Sequence, residues 1–408
     1  MKKAPLIVGL ELGTRHFIVA AGHVEENQRL RVRAAESIPT QGVERGVLSD
    51  PIECADSVAR LIRKVEQSLS VKVPTVLAAL PGNHLKSYNA AASVPISDPQ
   101  AGISRRDVER VLTTCRTLSL DYDRQILHSF ERGFSVDGQS GIKDPVGLCG
   151  TKLSVELHLV TALNLGLQNF IKVLNRAGLE VGETVLPGLA TAEAVLSDLD
   201  KDLGVTLVRV GELQTEALLF TDGKIRETFL ISWGTDHLTE SISRAFKLSR
   251  ALAEALLEQV RGFEERPEWT NTPLKVKVGS LARSFPQGQV IHLVRSKTKE
   301  FLNRLRGRLE ESAYFRESAA GIVMLGGFAR LEGFLEMAEG ILNMPVRLGT
   351  TREVELESGV TLNSLHTTAV GLLRYAAARR STSSSRPRAV PPALQWLDRA
   401  RHLLEEYF

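Results

Sequence analysis

The sequence predicts an α/β protein that uses one strand-turn-strand unit twice, and three observations carry that reading. Leu6-Ile-Val-Gly-Leu10 and Phe17-Ile-Val-Ala-Ala-Gly22 are apolar, partly β-branched runs on either side of a turn of small and polar residues, Glu11-Leu-Gly-Thr14. The same order returns far along the chain: Val205-Thr-Leu-Val-Arg-Val210, a polar turn, Thr215-Glu-Ala-Leu-Leu-Phe220, then Asp222-Gly223 leading into a strand that ends at Ile231. At 408 residues the chain exceeds one core of ordinary size, so two or more domains or one duplicated fold are expected.

The remaining elements follow in order. Asp50 and Pro51 open a helix in which Ile52, Ala55, Val58, Ala59, Ile62 and Val65 recur at three- and four-residue spacing, and the strand Val76-Leu-Ala-Ala-Leu80 comes next. Residues 85–162 have their own helix, over 106–117, and several strands ending in the alternating run Leu153-Ser-Val-Glu-Leu-His-Leu159, which marks an inserted subdomain. Ile322-Val-Met-Leu325, Gly326-Gly327 and a helix over 331–342 make another strand, glycine turn and helix. From Ala376 onward Arg, Ser, Thr and Pro dominate, a composition that buries no core and predicts a linker. After Pro392, Trp396, Leu397, Ala400, Leu403, Leu404 and Tyr407 recur at helical spacing, with Phe408 closing the chain.

Composition bounds the function. With 43% hydrophobic and 24% charged residues the chain is close to the soluble globular average, which excludes a disordered, fibrous or polytopic membrane protein. Residues 376–408 hold six Arg against Asp398, Glu405 and Glu406, so the formal +3 resides in the tail and residues 1–375 are neutral. A neutral body argues against nucleic acid as partner. Cys54, Cys115 and Cys149 form no C-x-x-C pair and are expected as packing residues in a reducing compartment. His128 and His158 have no further ligands at metal spacing, which favours core or surface roles. The start of the chain shows no secretory signal and no run of eighteen apolar residues occurs, so a cytoplasmic location is expected.

The duplicated hairpin with a late glycine turn resembles the actin-like ATPase superfamily. The inserted segment narrows this: Asp123-Arg-Gln-Ile-Leu-His128 and Val136-Asp-Gly-Gln-Ser-Gly-Ile-Lys-Asp-Pro-Val-Gly147 resemble the signature of the FtsA family of bacterial cell-division proteins. Arg45-Gly46 with Asp50, Gln168-Asn-Phe-Ile-Lys172 with Arg176-Ala-Gly-Leu179, Glu193-Ala-Val-Leu196 and Thr368-Ala-Val-Gly-Leu372 extend the resemblance over the whole chain. It implies an actin-like α/β fold: a first RNase H-like lobe at 1–84 and 163–198, a small FtsA-type subdomain at 85–162, and a second RNase H-like lobe at 199–245 and 305–375. A small subdomain of the second lobe at 246–304, a basic linker at 376–391 and an amphipathic membrane helix at 392–408 complete it.

In such a fold the two hairpin turns and the late glycines surround a nucleotide, and strand carboxylates hold Mg²⁺ through water. The candidate nucleotide-binding residues are Glu11, Gly13, Thr14, Arg209, Gly211, Thr215, Glu254, Gly326 and Gly327. The second turn departs from the family pattern Asp-Ile-Gly-Gly-Gly-Thr-Thr-Asp, reading Arg209-Val-Gly-Glu-Leu-Gln-Thr-Glu216. Glu212 and Leu213 remove the close backbone approach to phosphate. Arg209 puts a cation where the metal would sit; at about 5 Å and an effective dielectric near 20 the repulsion is on the order of 6 to 7 kcal/mol. Two roles remain open for it: an internal ion pair with Glu11 in place of metal, or a grip on phosphate without metal. No catalytic residue and no metal ligand is expected, and the only cofactor the reading leaves room for is ATP without tightly held Mg²⁺.

What the resemblance implies about function is an adaptor, not an enzyme. It would bind the FtsZ C-terminal tail at 246–304, tether FtsZ filaments to the inner face of the cytoplasmic membrane at the division site, recruit later division proteins, and self-associate into filaments. The tail fits the membrane half of this: about 16 residues of helix span roughly 24 Å with charges on every turn, too little to cross a bilayer but enough to lie in its surface. Arg379, Arg380, Arg386 and Arg388 add about 1 kcal/mol each toward an anionic leaflet. The competing readings are an actin-like ATPase whose nucleotide cycle controls self-assembly and a pilus-assembly scaffold of the same superfamily.

Overall fold

The computed structural model describes residues 5–25, 29–80, 84–263, 273–278 and 281–383. The expectations for 392–408 and for the second half of the linker, 384–391, therefore lie outside the described residues.

The first repeat begins with β1 (Ile7–Leu12) antiparallel to β2 (His16–Val24), which pairs with β3 (Leu30–Pro39). Strand alternation sends Val8, Leu10 and Leu12 into the main core and leaves Ile7, Gly9 and Glu11 on the other face. A small ribbon, β4 (Val43–Glu44) and β5 (Val47–Leu48), precedes α1 (Pro51–Leu69). The Asp50 carboxylate caps that helix, accepting from the N–H groups of Ile52 and Glu53 at 2.9 Å. The helix returns the chain to β6 (Thr75–Ala79), parallel to β1. With β11 (Glu180–Val185) and β19 (Glu355–Leu356) these strands make a six-stranded sheet ordered β11-β6-β1-β2-β3-β19.

The inserted unit is a separate four-stranded sheet, β7 (Leu85–Pro95), β8 (Arg124–Val136), β9 (Gln139–Ile142) and β10 (Lys152–Leu163), ordered β7-β10-β8-β9. α2 (Arg105–Leu118) lies on one face, with a capping box between Ser104 and Asp107, and its Val111 and Cys115 share a core with Phe134, Leu153, Val155 and Leu157. α3 (Asn164–Arg176) leads back into the first sheet, followed by α4 (Pro187–Val195) and α5 (Asp198–Leu203).

The second repeat reproduces the first. β12 (Val205–Val210), β13 (Thr215–Thr221) and β14 (Lys224–Ile231) are antiparallel neighbours, and β17 (Ile322–Leu325) and β18 (Val346–Leu348) add in parallel on the far side, giving β14-β13-β12-β17-β18. Even the turns match: Gly13 N–H donates to the His16 carbonyl and Gly211 N–H to the Gln214 carbonyl, each at 3.0 Å. One face of this sheet carries α6 (Asp236–Phe246), α7 (Arg250–Leu257), the ribbon β15 (Pro273–Val278) and β16 (Leu281–Pro286), α8 (Gln287–Glu310) and α9 (Phe334–Leu342) over a second core.

Between the two sheets lie α4 and α10 (Thr367–Ser383). α4 is buried on nearly every side, as a helix between layers must be. The two helices cross in backbone contact, since a Cβ on Gly371 would stand 1.8 Å from the Ala190 carbonyl oxygen. One continuous core thus runs from Leu10 through Leu189 and Ala192 to Leu207 and Leu218. Two expectations are corrected here. α10 continues to Ser383 with Tyr375 and Ala376 buried, so the linker boundary at 376 falls inside a helix, because Ala376-Ala-Ala-Arg-Arg favours helix as strongly as it favours solvent. Cys149, expected as a packing residue, is exposed, unlike the buried Cys54 and Cys115.

Candidate functional site

The repeated hairpins bring their turns face to face across a cleft of about 490 Å³, walled by Glu254, Leu257 and Glu258 on one side and Gly327 and Phe328 on another. At its floor stands Arg209. The register of β12 and β13 puts it directly opposite Glu216, and its guanidinium reaches Glu216 Oε1 through Nη1 at 3.2 Å and Glu11 Oε1 of the other lobe through Nη2. The side chains of Arg209, Glu11 and Glu216 are 20%, 6% and 3% exposed, so this is a buried ion network. Glu216 Oε2 also accepts from the Gly188 N–H at 2.5 Å, and so caps α4, which has no side-chain cap of its own. Only glycine fits at 188, because a Cβ there would lie 2.6 Å from that oxygen.

The charges answer to this geometry. Burial works against the Arg209 charge, but the fields of Glu11 and Glu216 outweigh it and hold the guanidinium above its ordinary value. Burial raises the Glu216 carboxyl, and Arg209 and the Gly188 N–H only partly offset that rise.

A second layer of ion pairs lies nearer the mouth. Arg15 meets Glu212 at 3.2 Å and Glu254 at 3.7 Å, and Arg250 meets Glu212 at 3.2 Å, Asp236 at 2.5 Å and Glu254 at 2.9 Å. Arg45 approaches Asp236 at 3.8 Å. Arg15 and Arg45 belong to the first lobe, the acids to the second.

Of the residues singled out in the sequence, Glu11, Gly13, Thr14, Arg209, Gly211, Glu254 and Gly327 line the cleft. Thr215 does not: it is fully buried, pairs with Ile231 of β14 and donates through its hydroxyl to the Trp233 carbonyl just beyond that strand, at 2.8 Å. Gly326 does not either; at φ 128° it lets the chain pass Val210, whose carbonyl oxygen would be 2.4 Å from any Cβ. Glu216, Arg15, Arg250 and Asp236 were missed. Glu216 was within reach, since a four-residue turn from 211 to 214 sets 209 against 216; Arg15 and Arg250 gave no local signal.

The Mg²⁺-nucleotide that the resemblance implies does not fit these residues. Both strand carboxylates at the floor are held by Arg209, and the Glu212 carboxylate sits where the family pattern has a phosphate-binding glycine. Among the described residues no cluster of three or more His, Cys, Asp and Glu is placed to hold a metal ion. Trp396, Leu397, Ala400, Leu403, Leu404, Tyr407 and Phe408 lie outside the described residues.

The chain is similar to known proteins along its whole length. A family described as the SHS2 domain inserted in FtsA matches residues 82–161, and one described as cell division protein FtsA matches 206–371. The cell division protein FtsA of Pseudomonas aeruginosa is 30% identical over 389 residues, 94% of this chain and 92% of that one. That of Escherichia coli is 29% identical over 384 residues, 91% of this chain and 90% of its own. Among solved structures, a chain of the PilM–PilN type IV pilus biogenesis complex superposes with a TM-score of 0.62 at 16% identity, covering 93% of this chain and 99% of that one. MreB5 of Spiroplasma citri bound to ADP gives 0.55 at 11%, with the same coverage. These structural likenesses establish the actin-like α/β fold.

Proposed function

Since the chain belongs to the FtsA family of cell division proteins, we propose that it acts as a division adaptor and not as an ATPase. In this reading it lies at the inner face of the cytoplasmic membrane at the division site, binds the C-terminal tail of FtsZ through residues 246–304, recruits later division proteins and self-associates into filaments. The observation that carries the non-enzymatic half is the Arg209 guanidinium, which engages Glu11 and Glu216 where a metal-dependent site needs free carboxylates. For the partner half, α8 exposes Arg295, Lys299 and Arg304 within 246–304, basic residues that suit an acidic tail. The apolar stripe at 392–408 supports the membrane half. Among the described residues no helix is long and apolar enough to cross a membrane.

The test is co-sedimentation of the full chain and purified FtsZ with vesicles containing phosphatidylglycerol, without nucleotide, alongside a phosphate-release assay. FtsZ is expected in the pellet only when its tail and residues 392–408 of this chain are both present, with phosphate release no faster than the control. Turnover comparable to ordinary actin-like ATPases, or recruitment that survives removal of the FtsZ tail, overturns the reading.

A further inference from the structure

We propose that this protein holds its own lobes closed, the arginine network doing the joining that a metal-bound nucleotide would otherwise do, so that lobe closure needs no ligand. The proposal deepens the adaptor reading by naming how its cleft is regulated.

Three bridges cross the cleft. Arg209 on β12 reaches Glu11 on β1, Arg15 beside the β1–β2 turn reaches Glu212 and Glu254, and Arg45 approaches Asp236 at the start of α6. Arg250 ties the last three acids together from within the second lobe. The outer pairs are partly exposed and individually weak. The Arg209 bridge is the strong one: separating the lobes would strand either a buried cation or a buried carboxylate. The cluster holds Arg15, Arg45, Arg209 and Arg250 against Glu11, Glu212, Glu216, Asp236 and Glu254, one negative charge in excess, so a polyphosphate meets no net attraction there.

A second fastening lies away from the cleft. The inserted unit leaves and re-enters the first lobe, yet it grips β14 of the second. Ser87 Oγ donates to the Thr228 carbonyl at 2.7 Å, Thr228 N–H donates to His158 Nε2 at 2.9 Å, and Arg226 donates to the Arg132 carbonyl at 2.9 Å. The lobes are thus joined on two sides. A ligand shifts a conformational equilibrium only by binding one state better than the other, and with the closed state already fastened a nucleotide has little left to select.

Hydrogen exchange on the full chain, with and without millimolar Mg-ATP, tests this. In the unaltered protein, exchange of the hairpins at 7–24 and 205–221 is expected to stay the same within about twofold on adding Mg-ATP, whereas R209Q speeds exchange of both hairpins by at least about tenfold. Should R209Q fail to fold, the double variant R15A/R250A, at half-exposed positions, is expected to speed exchange at the two turns. Strong protection of either hairpin by Mg-ATP in the unaltered protein overturns the proposal, as does unchanged exchange in the variants. Vesicle recruitment of FtsZ by the same preparation keeps the two readings apart. A protein that recruits FtsZ but is strongly protected by Mg-ATP sinks only the self-closure, and one that fails to recruit but ignores Mg-ATP sinks only the adaptor.

Discussion

Arg209 is the residue on which the cleft turns, and its fork matters as much as its charge. One guanidinium serves Glu11 and Glu216 through separate nitrogens, which a lysine ammonium at the same place would do with poorer geometry. R209A would leave two buried carboxylates without a cation and is expected to cost about 3 to 5 kcal/mol in urea denaturation at pH 7. The pH dependence of that loss identifies its cause. Glu216 has a folded-state proton affinity already raised by burial, and loss of Arg209 raises it further. A carboxyl raised in this way favours the folded state below its unfolded value near 4.5 and loses that contribution as pH rises through its folded value. The deficit of R209A against the unaltered protein should therefore shrink as pH falls from 7 toward 5. A deficit that grows over that interval would remove the stranded carboxylates as its source. Gly188 gives an independent check. G188A pushes a methyl against Glu216 Oε2 and Leu218 Cδ1, both 2.6 Å from the Cβ, and should cost about 1 to 3 kcal/mol by the same assay.

At the scale of elements, what was legible in the sequence was what is encoded locally. The paired hairpins were, because a β-branched run, a short polar turn and another run fix a ladder by themselves, and the pairing of 210 with 215 then sets 209 against 216. The helix at Asp50 was, because its cap and its spacing both lie within a few residues. The Glu11–Arg209 contact was legible only through the duplication, which puts the two turns on facing lobes. The outer network was not. Arg15 reaches Glu212 and Glu254, the acids that Arg250 also holds, only because α4 and α10 set the distance between the sheets, and that packing leaves no periodic trace beyond two small residues, Gly9 under α10 and Gly371 against Ala190. Thr215 misled for a related reason: a hydroxyl beside a glycine turn looks like a phosphate ligand until the β13–β14 pairing turns it toward Trp233. The helix crossing is itself testable. G371A forces α10 off the Ala190 carbonyl, which a backbone cannot yield as a side chain can, and should cost about 1 to 3 kcal/mol or more by overpacking. The melting temperature is the readout, and one within a degree of the unaltered protein would mean that the crossing is not tight.

For the whole molecule, the seam between the inserted unit and the second lobe should open with acid before the protein unfolds. His84, His128 and His158 are buried, and burial first, with the nearby cations Arg124, Arg379 and Arg132 respectively, lowers each of them from 6.5 to about 4. In the unfolded chain they titrate near 6.5, so between 6.5 and 4 the unfolded state binds more protons. Their contribution is complete above 6.5 and is lost as pH falls toward 4. His158 stands apart from the other two because of what it joins. Its Nδ1 faces Asn89 Oδ1 at 2.7 Å on β7, while Nε2 accepts the Thr228 N–H at 2.9 Å on β14, so the neutral ring has a donor on one side and an acceptor on the other. A proton on Nε2 would set the ring N–H against the Thr228 N–H at the seam, and would leave the Thr228 hydroxyl, 2.7 Å from Nε2, to turn and accept it. Exchange of the amides at 224–231, corrected for the intrinsic effect of pH, is accordingly expected to be faster at pH 5 than at pH 7, while the sheet at β1 and β6 remains protected. H158F removes the titrating group and leaves the Thr228 N–H without its acceptor, at a cost of about 1 to 3 kcal/mol. Exchange at 224–231 should then be fast at both pH values. Equal protection of that strand at pH 7 and pH 5 in the unaltered protein would mean that the two lobes are held on this side by the other contacts of the seam, those of Ser87, Asn89, Lys143 and Arg226, with His158 a filler between them.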